Sequence, residues 1–220
     1  MNPLGIPDDE FEALVARRRS AQFLAACRLP GIWLDRAQLH KRAADILYDI
    51  AYEAWERDLA RSLAEMKGQQ KSGSTSKRLE GQELEDFHDQ RLLAEYLLLV
   101  GYGLECLLKG YLLAVIPELV IDEKRIDKLV ANHDLPQLCH DCAISLSADE
   151  ERLLKLITRN IVWGKYTAPL SVRDMPSWVH PDDQEKKSLA VSNPFHERWV
   201  QVLANEIFSR AFVLLEGQRQ

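Results

Sequence analysis

Residues Leu97 to Ile116 read LLLVGYGLECLLKGYLLAVI, and this stretch constrains the fold more than any other. It has the length of a membrane span, yet Glu105 and Lys109 stand in its middle. An ionised group at the centre of a spanning helix costs about 2.5–3.5 kcal/mol on insertion scales. The two charges lie at i and i+4 with the glutamate first, the order that favours pairing on one helix face. Gly101, Gly103 and Gly110 let neighbouring backbones come close. The stretch therefore reads as the central helix of a bundle, not as a span, and no membrane partner is expected.

The chain around it can supply that bundle. With 220 residues, 46% of them hydrophobic and 28% charged, the composition is globular. A chain of this length buries roughly 70% of its unfolded surface and folds without a disulfide or metal staple. Lys+Arg 28 against Asp+Glu 34 gives a net charge of −6. An acidic chain is poorly suited to general duplex-DNA binding, which depends on counterion release by a positive surface. A local basic pocket remains compatible with it. Residues 1–10 have neither a positive start nor an apolar stretch, so they do not form a signal peptide and the expected location is the cytoplasm. Cys27, Cys106, Cys139 and Cys142 then read as reduced thiols.

Glycine and proline are sparse, and the segments between them carry helical spacing. Asp8 or Asp9 can cap an N-terminal helix over residues 8–27, which Leu29-Pro30-Gly31 ends. Asp35 is the expected N-cap of a second helix reaching about Met66, with Leu39, Ala43, Ile46, Leu47, Ile50, Ala54, Trp55, Leu59 and Leu63 as its apolar positions. Residues 67–80 are rich in Gly, Ser, Gln and Lys and predict a flexible loop. A third helix over Glu83–Ile116 holds the apolar stretch, and a short one near Asp122–Ala131 follows. Asp134 and Ser147 fit N-caps of the next two, the second running to about Trp163. Asn193-Pro194 is the expected opening of the last helix, after a long loop over 164–192. No strand is expected. The fold class is all-α: one domain over residues 1–220, a bundle of about five core helices plus the N-terminal helix.

The common phosphate-loop, dinucleotide, nucleophile-elbow and HExxH motifs are missing from the sequence. Three constellations can carry chemistry. Cys139-His140-Asp141-Cys142, with His133 upstream, has two thiols one turn apart, but a zinc site calls for a second matched pair. These read as core thiols and a surface histidine, with no metal or cofactor expected. Glu105 and Lys109 form either a partly buried ion pair or the floor of a pocket in which Glu105 orients a cation. Thr158-Arg159-Asn160 through Trp163-Gly164-Lys165-Tyr166 combines two cations with stacking faces, suited to phosphate and base. The plainer account of that run is a helix end with a Gly164 cap and dipole-matched cations.

Taken together, Ala43-Ala44-Asp45-Ile46-Leu47-Tyr48, Gly103-Leu104-Glu105-Cys106-Leu107-Leu108-Lys109, Asn132-His133-Asp134-Leu135 and the late Arg159-Asn160 resemble the HEPN domain family (higher eukaryotes and prokaryotes nucleotide-binding). The likeness runs from about Asp35 to the C-terminus. Trp163-Gly164-Lys165-Tyr166 is similar to a tryptophan-glycine-arginine-tyrosine stretch of one branch, with Lys165 standing where that branch has arginine. HEPN ribonucleases pair such an arginine and polar residue with a histidine a few positions on. Here that position falls near Gly164, and no histidine lies between His140 and His180.

The resemblance implies a homodimer that binds nucleotide or RNA without hydrolysing it, in a toxin–antitoxin or phage-defence setting with a nucleotidyltransferase-like antitoxin as partner. Two other functions stay open: a metal-independent ribonuclease whose base comes from elsewhere, His133 or His180, and a helical protein–protein scaffold. The expected ligand site comprises Arg159, Asn160, Lys165 and Tyr166, with Glu105, Lys109 and His133 as neighbours. The expected dimer contact is the glycine-bearing third helix or the Arg159 region.

Overall fold

A computed structural model describes residues 7–68, 80–122, 125–164 and 198–219. It is all-α apart from one small hairpin. Helix α1 spans Asp8–Arg28 and α2 spans Pro30–Gly68, with only Leu29 between them in extended backbone. A residue preceding proline is disfavoured from helical angles, and proline at the first helical position lacks only an N–H that would have had no partner. Pro30 therefore starts α2, and Asp35, the expected cap, lies inside the helix.

The core face of α2 also differs from the expected one. Leu34, Ala37, Ala44, Tyr48, Ala51 and Ala54 are buried, while Leu39, Ile46, Ile50, Leu59 and Leu63 are exposed. Small residues on the inner side let α2 lie close along α4, its most extensive neighbour.

The expected single third helix is two: α3 over Gln82–Gln90 and α4 over Leu92–Val115. At the junction Arg91 N–H donates to the His88 carbonyl at 3.1 Å and Ala94 N–H to that of Arg91 at 3.1 Å, a locally tightened turn. Within α3, Asp86 is fully covered. Its Oδ1 accepts from Arg57 Nε at 2.8 Å and Gln82 Nε2 at 3.1 Å, and its Oδ2 from Arg61 Nη1 at 2.5 Å. This clasp fixes α3 against the far half of α2.

α4 is the central helix, as its composition predicts. Its apolar side chains meet α2 on one side and, on the others, chiefly α6 (Leu135–Asp141), α7 (Ala148–Gly164) and α8 (Trp199–Glu216), while Leu113 packs with Cys27 of α1. A Cβ on Gly101 would stand 2.6 Å from Ile157 of α7, and one on Gly110 would stand 2.6 Å from Trp33 of α2. One on Gly103 would come within 3.1 Å of Phe208 of α8. All three glycines thus serve contacts within the chain. The glycine-bearing face is consequently not free to form the expected dimer contact. Gln82–Val115 is the one stretch among the described residues long and apolar enough to cross a membrane, and 61% of its most apolar window is buried in the bundle.

Pro117 ends this region with a single 3-10 turn. Where a helix near Asp122–Ala131 and no strand were expected, Val120–Asp122 (β1) and Arg125–Ile126 (β2) pair antiparallel, Val120 opposite Ile126 and Asp122 opposite Arg125. Consecutive β-branched Val120 and Ile121 favour this pairing, and an Asp122–Arg125 ion pair at 2.6 Å closes it. Helix α5 shrinks to Lys128–Ala131, capped by Asp127.

The caps expected at Asp134 and Ser147 are present. Asp134 Oδ1 accepts the Gln137 N–H at 3.2 Å. Ser147 and Glu150 form a reciprocal capping box at 3.3 and 2.8 Å. Arg210 of α8 adds to it, donating to the Ser145 carbonyl at 2.6 Å and pairing with Glu150. Residues 69–79 of the expected loop, residues 165–192 of the long one, and the Asn193-Pro194 helix opening lie outside the described residues.

Candidate functional site

Two separate places hold the side chains singled out from the sequence. In the first, Glu105 and Lys109 lie one turn apart on α4, both 8% exposed. Lys109 Nζ stands 3.2 Å from Glu105 Oε2. The other carboxylate oxygen, Oε1, is 2.6 Å from His133 Nδ1. His133 belongs to the link between α5 and α6. There Asn132 Oδ1 accepts the Asp134 N–H at 3.0 Å and Asp134 caps α6, so the backbone on both sides of the ring is held. The sequence reading set these three beside the Arg159 site; the structure joins them to one another instead.

Chemically the cluster is a carboxylate with one oxygen on an ammonium and the other on an imidazole. An acceptor on Nδ1 orients the ring and favours the tautomer protonated there. The His133 side chain is 37% exposed, so the imidazole stands at the rim while the carboxylate is covered. A carboxylate-oriented histidine is the arrangement used for proton transfer. Next to it, burial and then the Glu105 charge push the Cys106 thiol up to about 11.

The second place is an open groove of about 830 Å³ between α6 and α7, with Gln137, His140, Lys155, Thr158 and Arg159 among its lining residues. Thr158 Oγ1 accepts the Leu135 N–H at 3.1 Å and so fastens α7 to the start of α6. Arg159, one residue on, is exposed and has no ion-pair partner among the described residues. The other cation of the groove is already engaged, Lys155 with Glu151 at 2.6 Å. Asp134 and Glu151 also line the groove, which makes it mixed in sign.

The expected single site is therefore divided. Glu105, Lys109 and His133 do not line the groove that holds Arg159. Asn160 does not line the groove either, and its Nδ2 donates to the Leu156 carbonyl of its own helix at 2.9 Å. Lys165, Tyr166 and His180 lie outside the described residues. Thr158 and His140 complete the groove beside Arg159; the sequence reading had them in two separate runs, which meet only where α6 and α7 pack in the tertiary fold.

The cysteine cluster resolves into core packing. Cys139 and Cys142 are buried, and burial pushes both thiols up to about 12. Cys142 Sγ donates to the Leu108 carbonyl at 3.6 Å, whereas His140 is exposed on the groove side. Among the described residues no three His, Cys, Asp or Glu side chains gather as a metal site would require. No family model, curated protein or solved structure matches this chain.

Proposed function

We propose that the protein is a nucleotide- or RNA-binding module of HEPN-like type, acting without hydrolysis, with Arg159 as its phosphate contact. One observation carries the reading: a guanidinium with no ion-pair partner among the described residues, on an open groove. A planar guanidinium matches phosphate geometry in a way that an ammonium does not. Thr158 and His140 add polar groups at the same wall. Hydrolysis is left out because Gly164 occupies the region where the resemblance calls for histidine. The proposed setting is intracellular toxin–antitoxin or phage defence, with a nucleotidyltransferase-like antitoxin.

The test is binding of labelled single-stranded RNA and of nucleotides across a salt series, for the native chain and Arg159→Ala. Losing one phosphate contact should weaken binding and flatten the salt slope by about 0.7. Unchanged binding by a folded variant rejects the site and leaves the protein–protein scaffold as the better reading.

A second reading has its own observation. Glu105 holds His133 at 2.6 Å, as a carboxylate holds a general base. On that reading the protein is a metal-independent ribonuclease. A cleavage assay in chelator, with His133→Ala as control, decides it: a positioned acid–base contributes about 10²–10⁴-fold in rate.

A further inference from the structure

The outer face of α2 carries a second periodic pattern that the bundle does not use. Ile32, Arg36, Leu39, Ala43, Ile46, Ile50, Glu53 and Arg57 follow one another at alternating steps of four and three. That is heptad spacing, the a and d positions of a coiled-coil seam. Ile32, Leu39, Ile46 and Ile50 are 45%, 66%, 55% and 39% exposed, although each is a large aliphatic residue. The inner residues Leu34, Ala37, Ala44 and Tyr48 already join α2 to the core, so the seam is an additional face. A single exposed aliphatic residue is ordinary, but a row of them along one helix marks an interaction surface.

We propose that this face packs antiparallel against the same face of a second copy, forming a two-fold dimer. The charges at the ends of the row select the occupant and its direction. Setting α2 antiparallel about an axis between Ala44 and Asp45 places Ala43 opposite Ile46, Leu39 opposite Ile50, Arg36 opposite Glu53 and Ile32 opposite Arg57. Each layer joins an a position to a d position, as antiparallel pairing requires, and the apolar layers lie inside the charged one. A parallel in-register pair would instead set Arg36 on Arg36 and Glu53 on Glu53.

The free chain leaves those charges poorly used. Arg36 has no ion-pair partner among the described residues. Among the described residues Glu53 reaches only Arg57, at 3.9 Å, and Arg57 is already held by Asp86 at 2.8 Å. A two-fold axis creates the Arg36–Glu53 contact twice, because an isologous interface repeats each pair. The seam from Ile32 to Arg57 is roughly 37 Å long at 1.5 Å per residue. The inference stands apart from the nucleotide-binding reading, since no seam residue lines the Arg159 groove.

The experiment is light scattering and sedimentation on the full chain and four variants. The native chain should show twice its 25.2 kDa mass. Ile46→Glu, at an exposed position next to the axis, should give a monomer of unchanged helicity. Arg36→Glu and Glu53→Arg should each weaken the dimer by about tenfold, through like charges set opposite one another. Combining them reverses both ends of each pair and should restore native affinity. A monomeric native chain, a dimer that survives Ile46→Glu, or a double variant no better than the single ones would each overturn the proposal. The first of these would assign the face to a different protein.

Discussion

On α4, Glu105 and Lys109 stand one turn apart at 3.2 Å and covered; on α2, Glu53 and Arg57 have the same spacing but stand at 3.9 Å and open to water. The helices around them differ in the same sense. α4 meets all seven other helices among the described residues, and its glycines receive Ile157, Phe208 and Trp33 from its own chain. The outer face of α2 presents Leu39, Ile46 and Ile50 to solvent. Similar local patterns thus end as an interior and as a surface, depending on whether the rest of the chain reaches them. An i,i+4 pair is a weak interaction in water and a required one in a covered site, where a lone charge has nothing else to solvate it.

Breaking the covered pair should have the largest effect. Glu105→Ala strands Lys109 in the interior and takes the partner from His133, a loss of about 3–5 kcal/mol. At roughly 2–4 °C per kcal/mol for a domain of this size, calorimetry should show a fall of about 10 °C. Replacing Lys109 by Met in the same chain should recover much of it. A melting temperature unchanged by Glu105→Ala would mean that water reaches Lys109 and that the two pairs are alike after all. Next comes Gly110→Ala, whose new Cβ would stand 2.6 Å from Trp33. Overpacking of this kind costs about 1–3 kcal/mol, read from the shift of a urea midpoint.

Asp86 lies between the two cases, fully covered but held by the half-exposed side chains of Arg57 and Arg61 together with Gln82. Burial alone would raise its pKa, but the hydrogen bonds from Arg61, Arg57 and Gln82 and the Arg57 charge outweigh it and hold the carboxyl below the usual aspartate range. Its stabilisation is therefore complete above the ordinary value of about 3.9 and fades as pH falls through the lowered one. Melting curves between pH 6 and pH 2 should show a loss of a few degrees in the native chain that Asp86→Asn does not share. The smallest effect belongs to the open pair. In the Ile46→Glu background, Glu53→Gln should change stability by less than about 0.5 kcal/mol.

Capping residues made much of the fold legible. Asp134, Ser147 with Glu150, and the apolar run of α4 are local signals, and they mark elements that the structure contains. What spacing could not convey was which side of α2 faces inward. Ala37, Ala44, Ala51, Ala54 and Tyr48 lie on one stripe and its isoleucines on another, and hydrophobicity ranks the wrong stripe first. The helix start at Pro30 was hidden by reading proline only as a terminator. The hairpin was hidden because its strands, Val120–Asp122 and Arg125–Ile126, are too short for an alternating pattern. At the candidate site, the Glu105–Lys109 pair follows from helical spacing. The Arg57–Asp86 and Arg210–Glu150 pairs join distant segments, and no sequence interval encodes them. Arg159 stood out as a charge beside a helix end, but its groove exists only where α6 crosses α7.

The packing of α8 on α4 also sets a timetable for biosynthesis. Phe208 and Leu215 come to rest beside Gly103 and Gly110, contacts that close over residues translated much earlier. At about 5–20 residues per second, the roughly one hundred intervening residues take on the order of 5–20 s to emerge from the ribosome. Throughout that interval the side of α4 that the last helix covers in the folded chain stays open. A ribosome-bound chaperone is accordingly expected to hold that side of the nascent chain until α8 has emerged, an outcome that ribosome profiling of chaperone-bound chains would read.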